Sequence, residues 1–466
     1  MRRTAPGAIA LTFALASALA VPAATGEDWP HFLGPRYDLH SAETGLDFEF
    51  DETGPPLLWE AERGRGHAGP VVAGGKLVFI HQVEDKEQVR CLDAATGEAL
   101  WEHSYPVEVS QSFGIVDAPR SSPTIDPASR LVYTLGNDGD LHCFRLDDGE
   151  IVWRLSLPET FGPAPFFFGY GSSPLVHGEK LVVNAGSEGA CVVAFAKESG
   201  EILWQTDHEW HGSYASPIVA KLHGEERILA FVGGMVKPPT GGLLCIDPES
   251  GRVDSAFPWR SDQFASVNAA SPVVCAGNRV LITEDYGLGA VMLEYGPDFQ
   301  PRTAWTSREL GCQFQTPLHH EGTVYGIGGN GGLLVAYDVR SGRHYWNELF
   351  YQTTVPWEGR DVPISLGHGH LVYVDGGFLC LGENGLLMRL ELSPTGYRIL
   401  AKARLFYAPE TWAPPVVSGG RLYVNKNEFG SKLLCYDLSG GGGPKDGEDA
   451  SDSEGIAAAA TDRRRR

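Results

Sequence analysis

A chain of 466 residues has ample material for a large core, and its 58 glycines, 31 prolines and 11 tryptophans point to many short strands and tight turns rather than helices. The formal charge of −22 repels phosphate backbones and anionic lipid heads, which excludes nucleic acid as a partner.

Taken from the N-terminus, Arg2 and Arg3, the apolar run Ile9 to Val21 and the small residues Ala18-Leu19-Ala20 read as a secretory signal over residues 1–20, with cleavage as late as 24. The expected location is therefore periplasmic or secreted, with no membrane-spanning segment left after signal removal. Residues 21–54 read as a leader that packs on the domain following it. From residue 55 two signals alternate. The first is a proline opening a short β-branched strand, at Pro70, Pro123, Pro174, Pro217, Pro272, Pro317, Pro363 and Pro415, mostly preceded by Ser or Thr. The second is a turn closed by glycine and followed by tryptophan: Gly97 with Trp101, Gly149 with Trp153, Gly200 with Trp204 and Gly342 with Trp346, while Trp305 keeps the slot without the turn. Glycine supplies the positive φ of a hairpin, and the tryptophan covers the gap to the next sheet.

Alternation roughly every 50 residues, eight times over, predicts an all-β, eight-bladed β-propeller of four-stranded antiparallel blades across residues 55–440. Blade four has Ser255 where tryptophan is expected, and blade seven has Thr395-Gly396 without one. The eighth repeat ends near Ser439 without its outer strand, which is expected instead from Pro56 to Glu60 with Trp59, so the two ends of the chain pair and close the ring. The Gly- and acid-rich stretch 441–466 cannot bury a core and reads as disordered. Cys91, Cys143, Cys191, Cys245 and Cys435 are read as one repeated slot, too far apart between blades for disulfides, hence buried and reduced.

The Asp-x-x-Thr/Ser-Gly-x-x-x-Trp element with Ser-Pro opening each inner strand resembles the pyrroloquinoline-quinone-like propeller repeat, over about residues 55 to 440. That family includes quinoprotein alcohol dehydrogenases and the propeller of the outer-membrane barrel-assembly machine. The leader Asp28-Trp29-Pro30-His31-Phe32-Leu33-Gly34-Pro35 looks like the pre-propeller segment of exported members from planctomycete-type bacteria. The dehydrogenases carry a vicinal Cys-Cys pair over the cofactor and the barrel-assembly lipoprotein an acylated Cys; this sequence has neither.

The loops leading into the inner strands are aromatic and polar, and they converge on one funnel. The candidate ligand-binding residues are Asp117, Arg120, Trp210, His211, Tyr214, Gln315, Trp357, Asp361, Glu410 and Trp412. Within Trp210-His211-Gly212-Ser213-Tyr214, the rings would stack on a planar ligand and His211 would act as acid, base or ligand. His319-His320 would put one ring inward, and His368 and His370 are expected in a solvent-facing turn. Glu284-Asp285 is a further carboxylate pair after a strand. No catalytic or metal-binding residue is assigned, because no nucleophile elbow or zinc motif occurs. The leading expectation is a monomeric, non-catalytic binding or scaffold protein for a protein, peptide or glycan of the cell envelope, without a cofactor. The alternative is a quinone-dependent or divergent oxidoreductase that uses the same funnel with pyrroloquinoline quinone and calcium.

Overall fold

The computed structural model describes residues 26–440 apart from 109–117, 165, 235–239, 264–265, 330, 351–353, 358, 409 and 428–429. The expected signal, the expected disordered tail, Asp117 and the Trp357 side chain lie outside the described residues.

Eight four-stranded antiparallel sheets follow one another as blades. Blade one runs Val71–Ala73, Lys76–Val83, Lys86–Asp93 and Ala99–Pro106, from the channel outward. Burial explains the residue pattern. Second and third strands are covered on both faces by neighbouring blades, so Leu77, Val78, Phe79 and Ile80 are all buried and read as a continuous apolar run. The outermost strand is covered on one face only, and Ala99–Pro106 alternates accordingly. Blade eight takes Val416–Ser418, Arg421–Lys426 and Lys432–Asp437 from the C-terminal end and Leu57–Glu62 from the N-terminal end. Trp59 lies opposite Cys435 and Glu60 opposite Leu434, so the ring is closed as the sequence predicts.

The repeated residues stitch one blade to the next. Trp101, Trp153, Trp204, Trp305 and Trp346 each donate their indole N–H to a turn carbonyl of the following blade, at 2.8 to 3.0 Å. For all of these but Trp346 the glycine of that turn lies under the ring: a Cβ at Gly149 would stand 2.6 Å from Trp101, and one at Gly200 2.8 Å from Trp153. Each of these glycines also has φ near +74. The hydroxyl before the inner-strand proline makes a second stitch at four blades. Ser122, Ser173, Ser216 and Thr316 accept backbone N–H groups of Gly69, Ser122, Ser173 and Ser271 in the preceding blade, at 2.8 to 3.1 Å.

The two degenerate seams are compensated. Ser255 donates its hydroxyl to Phe299 O at 2.7 Å, a strand-to-turn bond one blade onward like those of the indoles but to a different turn carbonyl. Phe299 occupies the glycine position of the next turn at φ 58, and Arg227 stacks on its ring at 3.6 Å. The bulk missing from the strand is thus supplied by the turn. At blade seven Ala401 pairs with Arg389 in the tryptophan slot, and Arg389 is covered by Phe48 of the leader at 4.0 Å.

Three expectations are corrected. Pro363 ends an extra hairpin, Thr354–Trp357 with Arg360–Pro363, and the inner strand of blade seven is His370–Val374, opened by Gly369. His370 is therefore 2 % exposed rather than solvent-facing, and its Nε2 lies 2.6 Å from Trp412 O. Cys91, Cys143, Cys245 and Cys435 share the slot facing Trp or Ser, but Cys191 does not; in blade three Ala194 faces Trp204. All eight cysteines are buried and free.

Candidate functional site

The central channel is closed at one end by the leader. Trp29 bridges Val72 of blade one, Pro30 O accepts the Ile125 N–H of blade two, Tyr37 reaches Val176 O of blade three, and His40 bridges Tyr373 of blade seven. Trp29, Leu33 and Leu39 are almost wholly buried in this crossing. The buried Glu43 carboxylate staples it to blade eight by accepting N–H groups of Glu27, Gly419 and Gly420.

What remains is a one-ended cavity of about 350 Å³. Phe32 of the leader lines it, and every blade adds at least one residue from the segment before its inner strand: His67, Arg120, Phe168, Tyr214, Val267, Phe314, His368 and Trp412 in blade order. One wall is a cluster of flat rings, with His67 stacked on Trp412 at 4.3 Å, Phe314 on His368 at 4.8 Å, and Phe314 against Trp412 at 5.0 Å. The other wall holds Phe168 and Tyr214, whose centroids are 6.0 Å apart, and Arg120, which donates to Phe168 O at 2.8 Å and lies 5.4 Å from the Phe168 ring centre. Such a surface is apolar and preformed, with few polar groups.

Burial, together with the Arg120 and Arg63 guanidiniums, lowers His67 to about 3, so its ring is neutral at physiological pH. Asn427 reaches its Nδ1 at 3.1 Å, and Glu410 Oε2 lies 3.9 Å from its Nε2. Burial pushes the Glu383 carboxyl up, but hydrogen bonds from the His368 ring, the His368 backbone and Trp412 outweigh it and hold the group below the usual range. Gly367 makes room for this arrangement, since a Cβ there, at φ 50, would fall on Glu383 Oε1.

Of the residues singled out from the sequence, Arg120, Tyr214 and Trp412 come together in the lining, with Glu410 at its edge beside His67. Gln315 is buried just behind, where Oε1 accepts the N–H groups of Gln313 and Phe314 at 3.1 Å and shapes the turn that carries both into the cavity. Trp210 is 8 % exposed and packs with Trp204 in the core cluster of blades three and four, edge-on to His208. His211 is half-buried and does not line the cavity; its Nδ1 is buried without a hydrogen-bond partner. Asp361 is exposed on the extra hairpin. The pair Glu284-Asp285 is divided by an ion pair of Glu284 with Arg260, both buried. His319 and His320 lie at the far end of the channel, where His320 stacks on Tyr373 at 3.8 Å. Phe32, His67, Phe168, Phe314 and Glu383 are not among the sequence candidates, and His368, expected in a solvent-facing turn, lines the cavity instead. For His67, Phe168, Phe314 and His368 the available signal is position alone, two to seven residues before an inner strand.

Fold and cavity together define a ring of eight blades whose channel is plugged at one end and presents aromatic walls at the other. The chain belongs to the PQQ-repeat family described as outer membrane protein assembly factor BamB, whose model matches residues 49–126 and 116–348. It is 22 % identical to the outer membrane protein assembly factor BamB of Burkholderia pseudomallei over 298 residues, 62 % of this chain and 68 % of that protein. It is also 22 % identical to BamB of Yersinia pestis over 290 residues, 57 % and 67 % of the two chains. Among solved structures it resembles BamB from Moraxella catarrhalis (TM-score 0.55, 14 % identity, 83 % of this chain and 98 % of that one). It also resembles a europium-containing methanol dehydrogenase (TM-score 0.64, 13 % identity, 89 % and 98 %). At these identities the structural likeness shows the fold.

The repeat's name raises the quinone cofactor, a flat tricarboxylate. The residues present do not fit it. Among the described residues of the cavity lining the carboxylates would meet one guanidinium, Arg120, and the sequence has no vicinal cysteine pair. Among the described residues no group of three or more His, Cys, Asp or Glu is arranged to hold a metal ion. Nor is any helix among them long and apolar enough to cross a membrane.

Proposed function

We propose that this chain is an exported, non-catalytic binding protein of the cell envelope, and that the mouth of its cavity holds a segment of a protein or peptide partner. The observation that carries the reading is the one-ended aromatic cavity of about 350 Å³ to which all eight blades contribute. Flat rings facing a recess give an apolar side chain a large contact area at little entropic cost. A glycan is the weaker ligand, because its hydroxyls need a fence of acceptors and donors. Ser173 and Ser216 are already engaged with backbone N–H groups of neighbouring blades. The name borne by the relatives, outer membrane protein assembly factor, supports a partner among envelope proteins.

The test is quantitative co-purification from the envelope with variants that keep the fold. Trp412→Ala and Phe314→Ala each lower partner affinity at least about tenfold, as loss of a central aromatic anchor does. Leu203→Ala, at an exposed position of the outer rim, leaves it unchanged. Equal retention by all three variants would contradict the reading.

A further inference from the structure

The cavity holds a hydrogen-bonding device that apolar walls alone do not require. His368 lines the cavity, and its Nδ1 stands 2.7 Å from Glu383 Oε2. The same oxygen accepts the His368 backbone N–H at 3.1 Å and the Trp412 indole N–H at 3.2 Å. An ionised carboxylate only accepts, so of the two neutral tautomers the contact selects the one whose proton sits on Nδ1. Nε2 then carries the lone pair, and it has no hydrogen bond among the described residues. Stacking on Phe314 and the edge of Trp412, 6.0 Å away, fix the plane of the ring, whose side chain is 24 % exposed.

We propose that the cavity selects an aromatic group that bears a hydrogen-bond donor, the phenol or indole of a partner's tyrosine or tryptophan side chain. His368 Nε2 accepts the hydrogen bond, and Glu383 is the positioning residue that fixes which ring nitrogen is the acceptor. The inference rests on reading the cavity as a partner-binding site and names what that site takes. The rings of Phe168, Tyr214, Phe314 and Trp412 favour a flat guest whatever its polarity. A guest without a donor leaves the Nε2 acceptor stripped of water and unpaired, which disfavours a bare phenyl ring.

The experiment titrates the purified protein with 4-methylphenol and with toluene, in the wild type and in two variants. His368→Phe keeps a flat ring against Phe314 and removes the acceptor. The ratio of 4-methylphenol to toluene affinity is expected to fall about tenfold, with toluene binding retained. Glu383→Gln, which no longer dictates the tautomer, lowers the same ratio by a smaller factor, and it serves alone if His368→Phe does not fold. A ratio unchanged by the substitutions overturns the proposal and leaves an unselective apolar pocket. Failure of both probes to bind the wild type overturns the partner-pocket reading as well.

Discussion

Glu87 shows how a single buried group shapes the behaviour of this molecule. It is fully buried between blades one and two, with Oε1 accepting the Asn137 N–H at 2.9 Å. Burial lifts its carboxyl to about 7, against the opposing hydrogen bond from Asn137. Because the folded value lies above the ordinary carboxylate value, the group's contribution to stability is full below about pH 4.5 and is lost as pH rises through 7. Glu87→Gln keeps the acceptor and removes the titration. The variant is therefore expected to gain on the wild type as pH rises from 4.5 to 7, levelling off at up to about 3 kcal/mol. Denaturant melts at pH 4.5 and 8 check this, and equal differences at both would contradict it. His31, His67, His81, His142 and His370 are buried with lowered values and act in the opposite sense, losing stability as pH falls below about 6.5. They are common to both proteins and cancel in the difference.

At the scale of strands and turns, the seam between blades four and five exchanges its two partners while keeping their sum. At most other seams a strand tryptophan lies over a glycine in the next turn, as Trp101 does over Gly149; here Ser255 bonds Phe299 O and the Phe299 ring lies against Arg227. Ser255→Trp alone is expected to destabilise by about 1 to 3 kcal/mol through overpacking, and Phe299→Gly alone by about 3 kcal/mol or more by leaving a cavity. The double variant restores the consensus pair. Its loss is therefore smaller than the sum of the two by at least about 1 kcal/mol, measurable as a coupling energy in denaturant melts. Strict additivity would show that the two residues do not share the seam. The same repeat logic explains what the sequence made legible. Proline-led inner strands and Gly–Trp turns are local and periodic, so blade number, strand order and the closure by Trp59 are legible in the sequence. Blade seven was misread because a hairpin inserted before its inner strand carries Pro363, while the true opener, Gly369, lacks the proline. That displacement of six residues makes His368 and His370 read as a solvent-facing turn. Glu383 was invisible for a different reason: it meets His368 only through the packing of two loops around Gly367. Trp210 looked like Trp412 in sequence, and burial alone separates them.

For the whole molecule, ring closure and the leader turn a through-channel into a recess with one mouth. Each blade contributes lining residues at the same structural position, so the site belongs to the ring and to no single motif. The outer rim exposes Leu58, Leu100, Val152 and Leu203, one on each of four consecutive blades, and offers the natural contrast to the mouth. The central claim, that partners are held at the mouth, is tested most directly by placing a photoreactive phenylalanine analogue at position 412 or at position 203 in producing cells. Irradiation is expected to give a discrete envelope-protein adduct from position 412 and none from position 203. Adducts from position 203 alone would contradict the account.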